Sequence, residues 1–233
     1  MWFLIKMIFD TVIYLKETSS TMDISRQFVS TLKPPFVVVA ETQLFGKGRR
    51  NKKWLSPKGG LWLTEVLYTK KFWGLSLFIS IPILRVLKRY VREIKVKWPN
   101  DLFLCNRKVA GILIERTQDV AFIGIGINIE NDIPEEAKEF AISLKEKKNV
   151  NRIKIFKEIS EEEEKILPIF QQSGFAPFRE EYEDSLMIMN KNIAVKSKKI
   201  VQGKVLGVTE FGELVLKTVY GMEKIAQGTV LSL

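Results

Sequence analysis

The segment Gly46-Lys47-Gly48-Arg49-Arg50-Asn51-Lys52-Lys53-Trp54 is where residue types and spacing first point to chemistry. Five of its first eight residues are basic, and its two glycines let the backbone approach a ligand closely. Like charges packed this tightly repel one another, so the loop is expected to stay mobile until an anion neutralises it. Successive backbone N–H groups beside arginine forks suit phosphate oxygens. A surface basic loop that binds nucleic acid, or nothing, has the same composition.

Two further segments carry candidate residues. In Lys97-Trp98-Pro99-Asn100-Asp101 the proline cannot donate to a ladder, which marks a strand end and places Asn100 and Asp101 at an edge facing a cleft. In Lys108-Val109-Ala110-Gly111-Ile112-Leu113-Ile114-Glu115 a lysine opens an otherwise apolar strand. Strict alternation sets Gly111 on the opposite face from Lys108. Lys108 reads either as a snorkelling edge charge or as a fixed cation aimed at a carboxylate or phosphate. The run Gly124-Ile125-Gly126-Ile127-Asn128-Ile129 is too strand-like for a dinucleotide fingerprint. Its glycines mark close approach, by packing or by a ligand.

Composition narrows the mechanisms available. The 233 residues contain no histidine and one cysteine, Cys105. That excludes an intrachain disulfide, a tetrahedral Cys/His zinc site and every Ser-His-Asp or Cys-His mechanism. Catalysis has to rest on Lys, Arg, Asp, Glu and backbone dipoles. The balance of 37 Lys and Arg against 27 Asp and Glu, net +10, favours an anionic partner such as a nucleotide, a nucleic acid or an acidic protein. The same charge also serves solubility alone. The apolar run Met1–Phe9 is interrupted by Lys6 and is too short to span a bilayer, so a strand or packing arm and a cytoplasmic protein are expected.

The elements that must position these residues follow from periodicity. Strands are predicted at Val12–Lys16, Phe36–Ala40, Gly60–Tyr68, Lys95–Trp98, Leu102–Cys105, Lys108–Arg116 and Val120–Ile129, with hairpin turns at Asn106-Arg107 and at Thr117–Asp119. Helices are predicted from near Thr21, where Ile24, Phe28, Val29 and Leu32 recur before Pro34-Pro35, and over Leu75–Tyr90 despite Pro82. The charged stretch Pro134–Phe170 reads as helical, with Ser160 and Glu163 resembling a capping box, and a further helix is expected around Pro177–Leu186. Gln43–Lys58 reads as a loop. From Ile193 short strands alternate with glycine turns at Gly203, Gly207, Gly212, Gly221 and Gly228, the pattern of a small β-barrel leaning on the main domain. The fold class is α+β: a central mixed sheet flanked by helices in residues 1–187, then a small SH3-like barrel in 188–233.

Taken in order, Gly46 to Trp54, Lys97 to Asp101, Lys108 to Leu113 and Gly124 to Asn128 resemble the biotin protein ligase family. The similarity runs from about Tyr14 through Asn128 and more loosely into the C-terminal barrel. The resemblance implies that Ser20, Thr21 and Gln43 hydrogen-bond the ureido ring of biotin, with Met22, Gly46 and Gly111 also lining that pocket. It implies that Lys47, Gly48 and Arg49 close over biotin and its adenylate, and that Lys108 binds the carboxylate and the α-phosphate. Arg49, Arg50, Lys52, Trp54, Lys97, Asn100 and Asn128 fall on the ATP side, and Asp101 on the aspartate that orients the acceptor lysine. Met22 stands where the family has Asn, Lys47 replaces an arginine, and Asn51 replaces a third glycine that Asn can mimic at positive φ.

The implied reaction has two steps: biotin and ATP, with Mg²⁺ bridging phosphates, give biotinyl-5′-AMP, and the acyl group then passes to a lysine of a biotin carboxyl carrier protein domain of a carboxylase. No side chain is assigned as a metal ligand. Because the match starts near Tyr14, no room is left for the winged helix-turn-helix of repressor members, and DNA binding is not expected. A sheet edge near the site favours a homodimer, and no membrane association is expected. The alternatives are a lipoate protein ligase and, from another class, a basic nucleic-acid-binding module.

Overall fold

The computed structural model describes residues 9–232. All of the Met1–Phe9 arm except Phe9, which is buried, lies outside the described residues. Among the described residues twelve strands form two sheets. The larger contains β1 (Thr11–Thr18), β2 (Phe36–Gln43), β3 (Leu61–Tyr68), β4 (Lys95–Lys97), β5 (Asp101–Leu104), β6 (Arg107–Thr117) and β7 (Val120–Ile127). Its order is β1-β2-β3-β7-β6-β5-β4, with β1 and β2 parallel and every other pair antiparallel. The sheet is therefore mixed, as the sequence predicts. The central strands are continuous apolar runs because both faces are covered.

One face packs on α2 (Leu75–Tyr90) and α3 (Arg152–Ser173), where Phe78 stacks on Phe170 with ring centroids 4.3 Å apart. The other carries α1 (Thr21–Phe28) over a smaller cluster of Met22, Phe36, Val38, Val66 and Phe122. A fourth helix, α4 (Arg179–Asp184), leads to the second sheet of β8 (Asn192–Lys196), β9 (Ile200–Val208), β10 (Leu214–Thr218), β11 (Gly221–Ile225) and β12 (Thr229–Ser232). Its order is β11-β10-β9-β8-β12, antiparallel throughout. No ladder joins β11 to β12 among the described residues, so the expected barrel is an open sheet. It leans on the main sheet: its apolar face continues the larger core, Val208 N donates to Glu183 Oε1 at 2.8 Å, and Trp98 Nε1 donates to the Gly212 carbonyl at 2.9 Å.

Three expectations are corrected. Pro134–Phe170 is not one helix: residues 134–151 hold only short 3-10 turns at Glu135–Ala137 and Leu144–Glu146, and α3 starts at Arg152. The backbone of that segment is used to cap sheet strands, with Ile142 N donating to Lys108 O and Leu144 N to Asn128 O. Ser160 and Glu163 are buried in mid-helix. The capping box is Ser143 with Glu146, while Asn151 Oδ1 caps α3 by accepting from Ile153 N and Lys154 N. The third correction is a β-bulge: Leu102 opposes Ala110 but Phe103 opposes Lys108, leaving Val109 as the extra residue. That insertion returns Lys108 to the same face as Gly111, against strict alternation.

Between β3 and α3 lie two carboxyls, Glu65 and Glu163, each 1% exposed. Burial pushes Glu65 up to about 8 and Glu163 well above the usual carboxylate range, the latter also because Glu65 is beside it. The folded state thus favours the protonated forms. Their contribution to stability is fully present below the ordinary carboxylate range and is lost as pH rises through about 8. Glu65→Gln should therefore flatten the fall in Tm between about pH 6 and pH 9, read by thermal scans across that range. A variant whose Tm falls as steeply as the parent's would contradict this assignment.

Candidate functional site

A cleft of about 660 Å³ opens on the α1 side of the main sheet. One end is built by the start of α1. Ser20 occupies the N-cap position, yet its hydroxyl makes no cap bond; it is buried without a partner. Gln43, at the end of β2, accepts from Thr21 N at 2.8 Å and Thr21 Oγ1 at 3.0 Å, and its Nε2 donates to Ser56 Oγ at 2.8 Å. Thr64 Oγ1 on β3 donates to Thr21 Oγ1 at 2.8 Å. A helix N-terminus is rich in unpaired donors, so this end is a rigid polar socket. Met22 closes it on the apolar side. A Cβ on Gly124 would sit 3.1 Å from Met22 Sδ, so the glycine makes room for the thioether.

The floor is the glycine pair of β6 and β7. Gly111 and Gly126 are directly opposed in the ladder. The indole of Trp54 lies on both: a Cβ would be 2.6 Å from the ring at Gly126 and 2.9 Å at Gly111. Trp54 Nε1 is buried without a partner. Lys108 Nζ stands 4.7 Å from the centre of that indole and 2.6 Å from Asp101 Oδ1. Its backbone N–H donates to Phe140 O, so the 134–151 segment fixes the lysine as well as walling the cleft.

Above the floor the basic loop folds back on itself. Gly48 N donates to Lys52 O, and an isolated bridge joins Lys47 and Lys53. Arg50 and Asn51 both take positive φ, 56° and 58°, so Asn51 tolerates the conformation expected of the missing glycine. Arg49 Nη1 donates to Asn100 Oδ1 at 2.8 Å, while Asn100 Nδ2 donates to Ile112 O at 2.8 Å. Burial lowers the Arg49 pKa, an effect that Asp101 opposes. Burial likewise lowers Lys97, again opposed by Asp101. Lys47 pairs with Asp23 of α1.

The predicted residues Ser20, Thr21, Met22, Gln43, Lys47, Gly48, Arg49, Arg50, Lys52, Trp54, Lys97, Asn100, Asp101, Lys108, Gly111 and Asn128 all line this one cleft. Gly46 does not. It is buried behind Gln43 and Ser56, where a Cβ would strike the Trp54 carbonyl, so its place is structural. Asn100 is not a free edge residue, since both ends of its amide are used within the protein. Asn128 Oδ1 accepts from Asn131 Nδ2 at 3.0 Å, which leaves its donor end for a ligand. Sequence reasoning missed the walls: residues 133–141 and the Gly228–Val230 stretch of the second sheet. Gly228 was legible only as a turn glycine.

Comparison with known proteins gives the family. Residues 14–132 match the model of the biotin/lipoate A/B protein ligase family, just over half of the 233-residue chain. The chain belongs to that family. Among curated relatives, the bifunctional ligase/repressor BirA of Escherichia coli is 34% identical over 209 residues, covering 81% of this chain and 64% of its own length. The Bacillus subtilis protein of the same name is 29% identical, covering 92% of this chain and 71% of its own length. The chain thus spans just under two thirds of the Escherichia coli relative. Among solved structures, biotin protein ligase from Aquifex aeolicus in complex with biotin and ATP superposes with a TM-score of 0.87 at 28% identity, covering 95% of this chain and 98% of that one.

Because Trp54 fills the space over Gly126, Gly126→Ala should cost about 1–3 kcal/mol of stability by overpacking and should tilt the indole away from the floor. Urea denaturation followed by tryptophan emission checks both. An unchanged midpoint and spectrum would show that the indole does not rest there.

Proposed function

We propose that this chain forms biotinyl-5′-AMP from biotin and ATP and transfers the biotinyl group to a lysine of a biotin carboxyl carrier domain of a carboxylase. The observation that carries the reading is the polarity of the cleft. An uncharged hydrogen-bonding socket at Ser20, Thr21 and Gln43 is joined by an apolar glycine–tryptophan floor to a cluster of cations at Arg49, Lys97 and Lys108. A neutral bicyclic ring with an aliphatic chain ending in a carboxylate fits that sequence of surfaces. The likeness to the Aquifex aeolicus ligase, a structure holding biotin and ATP, supports the same assignment.

In the first step the biotin carboxylate attacks the α-phosphorus of ATP and pyrophosphate leaves. In the second the acceptor amine attacks the acyl carbon, the bond to phosphate breaks, AMP leaves and the amine's proton goes to solvent. A carboxylate is already a nucleophile, so no histidine base is required. Lys108 and Arg49 hold the α-phosphate region, where negative charge builds, and Lys97 adds to the field. Once an anion engages Lys108, Asp101 is released to orient the incoming acceptor amine by accepting a hydrogen bond from it. Among the described residues no group of three His, Cys, Asp or Glu converges as a metal site. The donor set does not fit a resident metal, and Mg²⁺ would come with the nucleotide.

The second sheet, residues 188–233, is read as the SH3-like unit. A cytoplasmic homodimer is the proposed assembly; what supports the dimer is the outer edge of β1, unpaired among the described residues, where Val12 and Tyr14 are exposed. Among the described residues no helix is long and apolar enough to cross a membrane.

Biotin-dependent exchange of labelled pyrophosphate into ATP tests the activity, with lipoate in parallel. Exchange is expected with biotin, and Lys108→Ala should lower it roughly a hundredfold. Exchange with lipoate alone would keep the chemistry and change the substrate; exchange with neither acid would overturn the reading in favour of a polyanion-binding module.

A further inference from the structure

Gly124, Gly126 and Asn128 follow one another along the same face at and just beyond the end of β7, and all three line the cleft. The first makes room for Met22 at the polar socket and the second carries the Trp54 indole, so Asn128 stands at the end away from the socket. Its backbone is fixed on both sides, with Asn128 N donating to Val109 O and Leu144 N to Asn128 O. What turns its amide is Asn131, which is 1% exposed and does not line the cleft. Asn131 Oδ1 accepts from Ile129 N at 3.0 Å. A backbone N–H can only donate, so this bond decides which end of the Asn131 amide is oxygen. The other end is therefore the donor, and Nδ2 reaches Asn128 Oδ1 at 3.0 Å and Asp132 O at 3.3 Å. A donor requires an acceptor, so the Asn128 oxygen faces Asn131 and its N–H end faces the cleft. The turn that carries Asn131 is itself pinned. Glu130 N donates to Gly59 O at 2.9 Å, Ser143 Oγ donates to Ile129 O at 2.7 Å, and a Cβ on Gly59 would lie 2.8 Å from Asn131 N.

We propose that Asn131 is a positioning residue for the nucleotide: acting through Asn128, it makes the far end of the cleft a hydrogen-bond donor, which selects an acceptor such as a purine ring nitrogen. The nucleotide as ligand rests on the function proposed above; the orientation of the two amides does not. In that reading biotin fills the socket and the floor, its carboxylate ends at Lys108 and Arg49, and the station beyond belongs to the nucleoside. An amide free to rotate would offer a donor or an acceptor alike and would lose that freedom on binding. A fixed amide penalises a ligand that brings a donor to the same place, because two donors then meet unpaired. Asn131 stands behind Asn128, whereas Ser20 and Gln43 lie at the other end, so its effect falls on one of the two substrates.

Asn131→Asp is isosteric and reverses the hold. One carboxylate oxygen keeps the Ile129 bond, and the other faces the Asn128 oxygen, which must rotate away and leave an acceptor toward the cleft. Asn131→Ala removes the hold without reversing it. Isothermal titration of the full chain at pH 8 reads the effect, with α,β-methylene-ATP and Mg²⁺ in the presence and absence of biotin, and with biotin alone. The aspartate variant should bind the nucleotide roughly tenfold more weakly and the alanine variant roughly threefold, both with parental biotin affinity. Parental nucleotide affinity in Asn131→Asp, or an equal loss for nucleotide and biotin, would overturn the positioning role. If the aspartate variant does not fold, the alanine variant decides by the same comparison. If the parent binds the nucleotide but not biotin, the biotin reading fails, and the nucleotide affinities set against each variant's urea midpoint still decide Asn131. A parent that binds no nucleotide overturns the proposal.

Discussion

The indole of Trp54 lying on the backbone of Gly111 and Gly126 is the contact on which the cleft depends. It brings the end of the basic loop down onto the sheet, and it sets the apolar floor between the polar socket and the cations. It also gives Lys108 a flat aromatic face at 4.7 Å. Any side chain at either glycine would fill the space the ring occupies. The β-bulge at Val109 is the second requirement, because without it Lys108 would point to the far side of the sheet. One tryptophan, two glycines and one inserted residue thus place the cation that the chemistry needs.

The charges of the cleft are held in exchangeable partnerships. Lys108 rests on Asp101, Arg49 on an amide oxygen, Lys47 on Asp23 and Arg50 on a hydroxyl. None of these is a buried bidentate ion pair, and a phosphate offers each cation a better acceptor. Partial burial of Arg49 and Lys97 disfavours their charged forms, a cost that an anion beside them would relieve. With no histidine in the chain, the proposed reaction would rest on position and field.

The strands of the main sheet were legible because their apolar runs are short and bounded by turn residues, and Cys105 and Asn106, both at positive φ, form the tight turn expected one residue later at Asn106-Arg107. The cleft residues from Lys47 onward were legible through four ordered motifs, whereas Ser20, Thr21, Met22 and Gln43 were reached only through the family resemblance. Three things were not. A bulge adds one residue without changing composition, so the facing of Lys108 and Gly111 could not be read from alternation. Residues 134–151 have a helical composition, but their N–H and C=O groups are drawn off by strand ends brought close only by folding. Gly46 resembles its neighbour Gly48 in every local respect, yet tertiary packing buries it behind Gln43 while Gly48 lines the cleft.

The most direct measurement is a crystal structure of the chain with a hydrolysis-resistant analogue of biotinyl-5′-AMP. The account predicts the ureido ring bonded to Ser20 Oγ and Gln43, and the acyl chain along Trp54. The acyl-phosphate group should lie within hydrogen-bond reach of Lys108 Nζ and Arg49, with the Lys108–Asp101 pair opened. A ligand bound elsewhere, or one that displaces Trp54 from Gly111 and Gly126 while Lys108 keeps Asp101, would contradict it.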